Sequence, residues 1–297
     1  MILAHAHPGH SGSGVFGPVI TTAALLSALA YLLSAARLRR RGDAWPRHRD
    51  ASFTAGSAAL AVALTGTLPG EPFTSHVAQH LTVAMAAPLL LILARPLALA
   101  LRTLPPGPAR RALPAAAHSR PVTWLLFPPL AAVLDIGGLW LLHRTDLLAT
   151  THHQPLLGTV VHAHVLAAGL LFTFTICQLD PVRRRWSLAL RGTTLLAAGS
   201  AHAVLAKTLY TTPPPGTAFT TGDLHTASQL MYYGGDLVDL ALAGVLAARW
   251  YATTGRAHRR GSPARDAEPI TSSPVTVGRR PLRSGRERGR AKRPSEG

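Results

Sequence analysis

Histidine is the residue type in this sequence with the most chemistry to offer. The chain carries fifteen histidines and a single cysteine among its 297 residues. His76 and His80 stand four residues apart, a spacing that puts both imidazoles on one face of a helix, one turn apart. Two imidazoles placed in this way can share a metal ion. Because Cys177 is alone, the sequence offers neither a disulfide nor a paired-cysteine metal motif.

Three more histidines fall inside apolar stretches. His162 and His164 are two residues apart, so on a helix they point about 200° from each other, and only one of them can face a shared ion. His202 lies in the next stretch at a similar depth, roughly 10–13 Å from the outer end by helical rise. An unsatisfied imidazole is costly in hydrocarbon, so each should be hydrogen-bonded or bound to an ion. Each of these histidines, considered alone, could instead be a core residue without a ligand, its ring hydrogen-bonded to the backbone.

Acidic residues and a methionine lie in the same stretches. Asp135, Asp236 and Asp239 are expensive to place in lipid, so we expect each to face the bundle interior and meet a partner. A carboxylate that accepts a hydrogen bond from an imidazole would fix the tautomer of a ligating histidine. Alternatively, the carboxylate has only a structural role and pairs with Lys207 or with the backbone of a helix. Met231 offers a thioether, which together with imidazole suits Cu(I), although methionine is more often a packing residue. Asp135, Asp236 and Met231 are therefore candidate supporting residues.

The elements that must position these side chains are membrane-spanning helices. Hydrophobic residues make up 47% of the chain and charged residues only 14%, against roughly 25% charged in soluble domains. Apolar stretches of about 20 residues are long enough to cross the hydrocarbon core. Seven such stretches predict an all-α, polytopic membrane bundle, at residues 15–36, 51–68, 76–101, 122–142, 156–178, 188–210 and 228–250.

The distribution of basic residues predicts the orientation of the bundle. Arginines cluster in the first, third and fifth loops, whereas the second and sixth loops have no Lys or Arg and the fourth has only Arg144. Basic loops stay in the cytoplasm, so the N-terminus is predicted outside and the C-terminus inside. Twelve of the fifteen histidines then fall outside or in the outer halves of the spans.

The sequence divides into a transmembrane bundle, residues 1–254, and a basic tail, residues 255–297. The tail is rich in Gly, Pro, Ser and Arg, a composition that predicts a disordered cytoplasmic segment. The net charge of +17 does not indicate nucleic acid, because the basic residues lie in the loops and the tail. We interpret the tail as an orientation signal that touches anionic membrane lipid, with docking of a cytoplasmic partner as the alternative.

Several segments resemble a known family, the CtaG-type cytochrome c oxidase assembly factors. The segment His76-Val-Ala-Gln-His80, running into Ala87-Pro88-Leu89 and Ala94-Arg95-Pro96, is similar to one of its marked helices. The run from His162-Ala-His164 to Leu179-Asp180-Pro181 resembles the next, and Ala201-His202 and the stretch from Asp223 through Met231 to Gly235 resemble the last two. The resemblance covers roughly residues 50–250. Val77 stands where the family usually has methionine, which weakens the case for a thioether ligand in that helix.

The resemblance implies a multi-pass protein of the cell membrane that is not an enzyme. Such a protein would help copper reach the copper site beside the heme in the large subunit of heme-copper cytochrome c oxidase. If the family's metal-binding residues carry over to this sequence, they correspond most directly to His76, His80, His162, His164 and His202.

Two other functions stay open from the sequence. Paired histidines on different helices could hold a heme in a membrane redox protein. A metal permease would need ligating residues through the inner half of the bundle, where the sequence offers only Cys177 and Gln178. We find no motif for nucleotide binding or for nucleophilic catalysis.

Overall fold

The computed structural model of the chain describes residues 16–65, 68–117, 119–180 and 185–261. In these ranges every regular element is a helix and no strand occurs, which confirms the all-α prediction for this part of the chain. In chain order the α-helices are α1 (Phe16–Arg40), α2 (Arg47–Leu64), α3 (Pro72–His80), α4 (Ala87–Leu93), α5 (Pro96–Thr103), α6 (Pro108–Ala117), α7 (Arg120–Leu125), α8 (Pro128–Arg144), α9 (Leu147–His153), α10 (Pro155–Cys177), α11 (Leu188–Thr211) and α12 (Thr221–Gly261). A π-helix, Leu81–Ala86, connects α3 to α4.

Four helical segments of the described ranges are long and apolar enough to cross a membrane: Gly17–Arg40, Pro72–Thr103, Pro155–Cys177 and Thr221–Ala252. Large apolar side chains are exposed on them, including Leu25 at 55%, Val160 at 62% and Leu240 at 70%. Contiguous exposure of this kind indicates lipid rather than water as the neighbour. The remaining three predicted stretches coincide largely with α2, α8 and α11. Seven crossings, and their orientation, stay a prediction.

The segment from Pro72 to Thr103 widens in its middle because of Pro88. A proline has no N–H to donate, and inside a helix its ring collides with the carbonyl four residues earlier, here that of Ala84. The turn opens into the π-helix Leu81–Ala86 and relieves the collision. Gly169 of α10 packs against this turn so closely that a Cβ there would lie 2.0 Å from the Ala84 oxygen. The missing side chain at Gly169 therefore lets α10 rest directly on the π-helix.

A second proline ends α4. The residue before a proline is disfavoured in the α conformation, and Arg95, before Pro96, adopts a left-handed backbone with φ of 55°. The Tyr31 hydroxyl donates to the Ala94 carbonyl at 2.8 Å, and the buried Asp180 carboxylate accepts from the Ala98 N–H at 2.9 Å. These bonds attach α1 and the loop after α10 to the break between α4 and α5.

The core of the bundle consists of two principal clusters that contain the histidine-bearing helices. The first joins α3, α8, α11 and α12 through Phe73, Leu142, Leu205 and Met231, among others. The second joins α4, α8, α10, α11 and α12 through Leu89, Ala131, Phe172, Leu195 and Leu242, among others. Because the first cluster also includes Val77 and Leu81, the helix that carries His76 and His80 is packed on several sides.

Some sequence predictions concern residues outside the described ranges. These are the disorder of the tail beyond residue 261 and the outer-side position of His5, His7 and His10, three of the twelve histidines predicted on that side. The chain separates into two compact units after Thr254. Of the second unit, the structure describes residues 255–261, as the end of α12.

Candidate metal centre

Helix α3, which carries His76 and His80, is anchored at its first turn by a residue of α12. The buried Asp223 carboxylate accepts hydrogen bonds from the Phe73 and Thr74 N–H groups, both at 2.8 Å, and from the Thr74 hydroxyl at 2.6 Å. Unpaired N–H groups at a helix N-terminus favour a negative charge. Pro72 stands at the start of α3, where its missing N–H costs nothing. Asp223 thus fixes the direction in which α3 enters the bundle.

We expect Asp223→Ala to destabilise the protein by about 3 kcal/mol, because it leaves two N–H groups and a hydroxyl without a charged acceptor. In detergent, the melting temperature should fall by about 5–10 °C. The matched control is Asp146→Ala, since Asp146 precedes α9 without a capping hydrogen bond from its side chain. Equal melting temperatures for the two variants would show that the Asp223 anchor does not stabilise the fold.

Four imidazoles from three helical segments lie together near the C-terminal half of α3. The ring centres of His76 and His143 are 5.5 Å apart, those of His80 and His143 are 6.4 Å apart, and those of His80 and His202 are 6.2 Å apart. We call these four residues the histidine cluster. His80 is its central member because its ring neighbours rings from both α8 and α11.

Ring nitrogens of the histidine cluster are available for a ligand. The Nδ1–H of His143 donates to the Leu139 carbonyl at 3.0 Å, so the lone pair resides on Nε2. In the described part of the chain, neither nitrogen of His80 has a hydrogen-bond partner, and Nε2 of His143 and of His202 has none. All three side chains are buried. Buried polar atoms are almost always satisfied, so nitrogens without partners are what a binding site for an ion or ordered water would present.

The two histidines of α10 have different surroundings, as their spacing predicts. His162 lines a cavity of about 70 Å³ together with His76, Gln79 and His80, and its Nδ1 bonds to the Gly158 carbonyl at 2.7 Å. The His164 ring instead donates from Nε2 to the Leu134 carbonyl of α8 at 3.0 Å. The structure therefore places His162 beside the cluster and His164 away from it.

The prediction that Asp236 faces the bundle interior is wrong. It was based on the free-energy cost of placing a carboxylate in lipid. The Asp236 side chain is exposed, because Gly235 takes the interior position and successive helical residues are turned by about 100°. A Cβ at Gly235 would lie 2.4 Å from Cε1 of His202. Asp236 remains within electrostatic range of His202.

Met231 and Asp135, the other candidate supporting residues, lie in different surroundings. Met231 is fully buried in the first core cluster, where it packs against apolar side chains. Asp135 lies within electrostatic range of Asp239. In the residues that the structure describes, no group of three or more His, Cys, Asp or Glu side chains is arranged to hold one metal ion. The arrangement therefore offers pairs of imidazoles rather than a closed cage.

His143 is the member of the cluster that sequence reasoning did not include among the candidate ligands. It stands at the end of a predicted span, where a wetted interfacial histidine is the simpler interpretation. In the structure it is 1% exposed, and the Phe73 ring packs beside it with ring centres 6.2 Å apart. The available signal was its position at the C-terminal end of α8, but its burial depends on tertiary contacts that the sequence does not show.

A protein-family comparison matches most of the chain. The family model described as cytochrome c oxidase caa3 assembly factor matches residues 29–253, which includes every residue of the histidine cluster. No solved structure matches the chain.

Similar proteins occur in mycobacteria. The chain is 35% identical over 180 residues to uncharacterized proteins of Mycobacterium bovis and Mycobacterium tuberculosis, a match that covers 57% of this chain and 27% of each relative. It is 28% identical over 248 residues to an uncharacterized protein of Mycobacterium leprae, covering 80% of this chain and 37% of the relative. The chain thus spans about a quarter to two fifths of the length of these relatives.

Proposed function

This chain belongs to the cytochrome c oxidase caa3 assembly factor family, and we propose that it carries copper to the oxidase as a non-catalytic membrane factor. Copper is the cargo, and the receiving partner is the large subunit of the heme-copper oxidase. The observation that carries the proposal is the convergence of the His76, His80, His143 and His202 rings inside the bundle.

The ring separations support shared coordination of an ion by pairs of imidazoles. A ligating nitrogen lies about 2.0 Å from the ion and roughly 1.1 Å from its ring centre, so two imidazoles on opposite sides of an ion have centres about 6.2 Å apart, and a tetrahedral pair about 5 Å. The separations of 5.5, 6.2 and 6.4 Å in the histidine cluster lie in or within a few tenths of an ångström of this interval. Imidazole is a good ligand for copper, and a two-coordinate site suits Cu(I).

The small number of ligands suits transfer rather than storage. A structural metal site closes its coordination with four protein ligands, whereas a site that exchanges its ion keeps positions open. In the histidine cluster each pair could bind the ion while an incoming ligand from the oxidase takes an open position. His80, which neighbours both His143 and His202, would remain attached as the ion moves between pairs.

The proposal includes the orientation of the bundle. We place the histidine cluster on the outer side of the membrane, with seven spans and a cytoplasmic C-terminus, because the loops on the opposite side are the basic ones. Copper would then enter from the extracytoplasmic side. The cavity of about 70 Å³ beside His80 has room for an ion and a few water molecules but not for a porphyrin, which favours copper over heme as the bound group.

The proposal is tested in a strain that lacks this gene and is complemented with full-length variants. We expect the deletion to lower both the copper content and the activity of the oxidase, and the wild-type gene to restore them. His80→Ala and His202→Ala should fail to restore them at low copper. His225→Ala should restore them, because His225 stacks on Tyr210 at 3.9 Å and is not part of the histidine cluster. Normal oxidase copper in the deletion strain would refute the proposal.

A further inference from the structure

A groove between α11 and α12, on the surface of the bundle, combines a mainly apolar lining with a few polar groups. Its upper part is a cleft of about 370 Å³ lined by Lys207, Tyr210, Ser228, Gln229, Tyr232 and Tyr233. The Lys207 ammonium lies 5.2 Å from the centre of the Tyr232 ring, and in the described residues no carboxylate forms an ion pair with it. The Ser228 hydroxyl is buried and has no hydrogen-bond partner there. The cleft therefore presents a positive charge that no carboxylate of the described chain pairs with, and a buried hydroxyl that has no hydrogen-bond partner there.

Asp236 extends this groove toward the middle of the membrane. It follows Gln229 by seven residues and Tyr233 by three, so it lies on the same side of α12. It is also fifteen residues into the candidate span Thr221–Ala252, near the centre of that span. The side chain is exposed, and no hydrogen bond or ion pair to it occurs in the described residues. An exposed carboxylate at this depth is costly in lipid and is expected to meet a polar partner.

The groove fits a transmembrane helix better than it fits a lipid. Acyl chains would leave Asp236 unsolvated, and an anionic headgroup at Lys207 would place a second negative charge in the same groove. A partner helix can present polar side chains at helical spacing, with a donor or a cation opposite Asp236 and an acceptor opposite Lys207. Interhelical hydrogen bonds of this kind are a usual means by which helices associate in membranes.

The groove also adjoins the histidine cluster. Asp236 directly follows Gly235, which packs against the His202 ring so closely that a side chain at Gly235 would overlap the ring. We propose that the groove between α11 and α12 docks a transmembrane helix of the oxidase subunit that receives copper, so that the ion is handed over sideways, within the membrane. The inference rests on the proposed function for the identity of the partner. The docking of a helix in the groove is supported independently by Lys207, Ser228 and Asp236, whose polar groups lack an ion-pair or hydrogen-bond partner in the described residues.

The test is site-specific photo-crosslinking in cells that make the oxidase. The photoreactive residue p-benzoyl-phenylalanine replaces Tyr233 or Leu237, which are each 69% exposed beside the groove, or Val160 on α10, which is 62% exposed, as a control. We expect adducts with the oxidase large subunit at Tyr233 and Leu237 and none at Val160. The double variant Lys207→Gln, Asp236→Asn should lower the adduct yield by at least about three- to fifteenfold, since the loss of one interhelical hydrogen bond alone has an effect of that size.

Two results would overturn the inference. One is an equal yield of oxidase adducts at Tyr233 and Val160, and the other is the formation of adducts at Tyr233 with phospholipid or a second copy of this chain alone. Its failure is distinguishable from failure of the proposed function. If the groove crosslinks to the oxidase while His80→Ala leaves oxidase copper normal, the copper proposal fails and the docking site stands. If His80→Ala removes oxidase copper while the groove crosslinks elsewhere, only the docking site fails.

Discussion

Replacing His80 by alanine should weaken Cu(I) binding to the purified protein by about 100-fold or more, since changing even an outer partner of a ligand costs 10- to 100-fold. The reason is its central position: His80 neighbours both His143 and His202, with ring centres 6.4 and 6.2 Å away. Its loss breaks two of the three pairs at once and leaves only the pair of His76 and His143. The affinity is measured by competition with a chromogenic Cu(I) chelator in detergent.

Other members of the histidine cluster provide graded comparisons for this experiment. His202→Ala and His76→Ala each remove one partner from the cluster and should weaken binding less than His80→Ala. His225→Ala is the control, and its copper affinity should equal that of the wild type because His225 is not part of the histidine cluster. If His80→Ala kept the wild-type affinity while remaining folded, the cluster would not be the copper site.

Gly169→Ala should destabilise the bundle strongly, because the added methyl group would lie 2.0 Å from the Ala84 oxygen and 2.8 Å from its carbonyl carbon. Both atoms belong to backbone, so no side-chain rotation can relieve the overlap. Overpacking of this kind costs about 1–3 kcal/mol and sometimes more. The separation of α10 from the π-helix would also move His80 and His162 relative to each other. We therefore expect a lower melting temperature and, at temperatures where the variant is folded, weaker copper binding.

A second glycine supplies the control for that experiment. Gly137 of α8 is also helical, but a Cβ there meets only Val133 Cγ1, at 3.9 Å, which is an ordinary van der Waals distance. Alanine has the higher helix propensity by about 1 kcal/mol, so Gly137→Ala should leave the melting temperature unchanged or raise it. A melting temperature for Gly169→Ala equal to that of Gly137→Ala would contradict the close packing on the π-helix.

Helical periodicity explains how much of the site could be predicted. The spacing of His76 and His80 placed both on one face of a helix, and the spacing of His162 and His164 implied that only one could face the site. Which of the two does so depends on the rotation of α10 against its neighbours. That rotation is fixed by Gly169 on the π-helix, a contact between residues far apart in sequence.

Burial was harder to predict than position. His143 at the end of α8 has the position of an interfacial residue, and only tertiary packing around Phe73 covers it. Asp236 is expected in the interior because of its cost in lipid, yet the adjacent Gly235 occupies the interior and leaves Asp236 on the surface. The π-helix had a local signal in Pro88, whose ring collides with the Ala84 carbonyl in a regular α-helix, but a proline alone also fits a kink.

X-ray absorption spectroscopy of the Cu(I)-loaded, full-length protein would identify the side chains that bind the ion. We expect two or three nitrogen neighbours at about 2.0 Å, with the outer-shell scattering typical of imidazole rings. That scattering should be unchanged in His225→Ala and weakened in His80→Ala, in which only the pair of His76 and His143 remains. A spectrum dominated by sulfur or by non-imidazole ligands, or one that His80→Ala leaves unaltered, would contradict the assignment of copper to the histidine cluster.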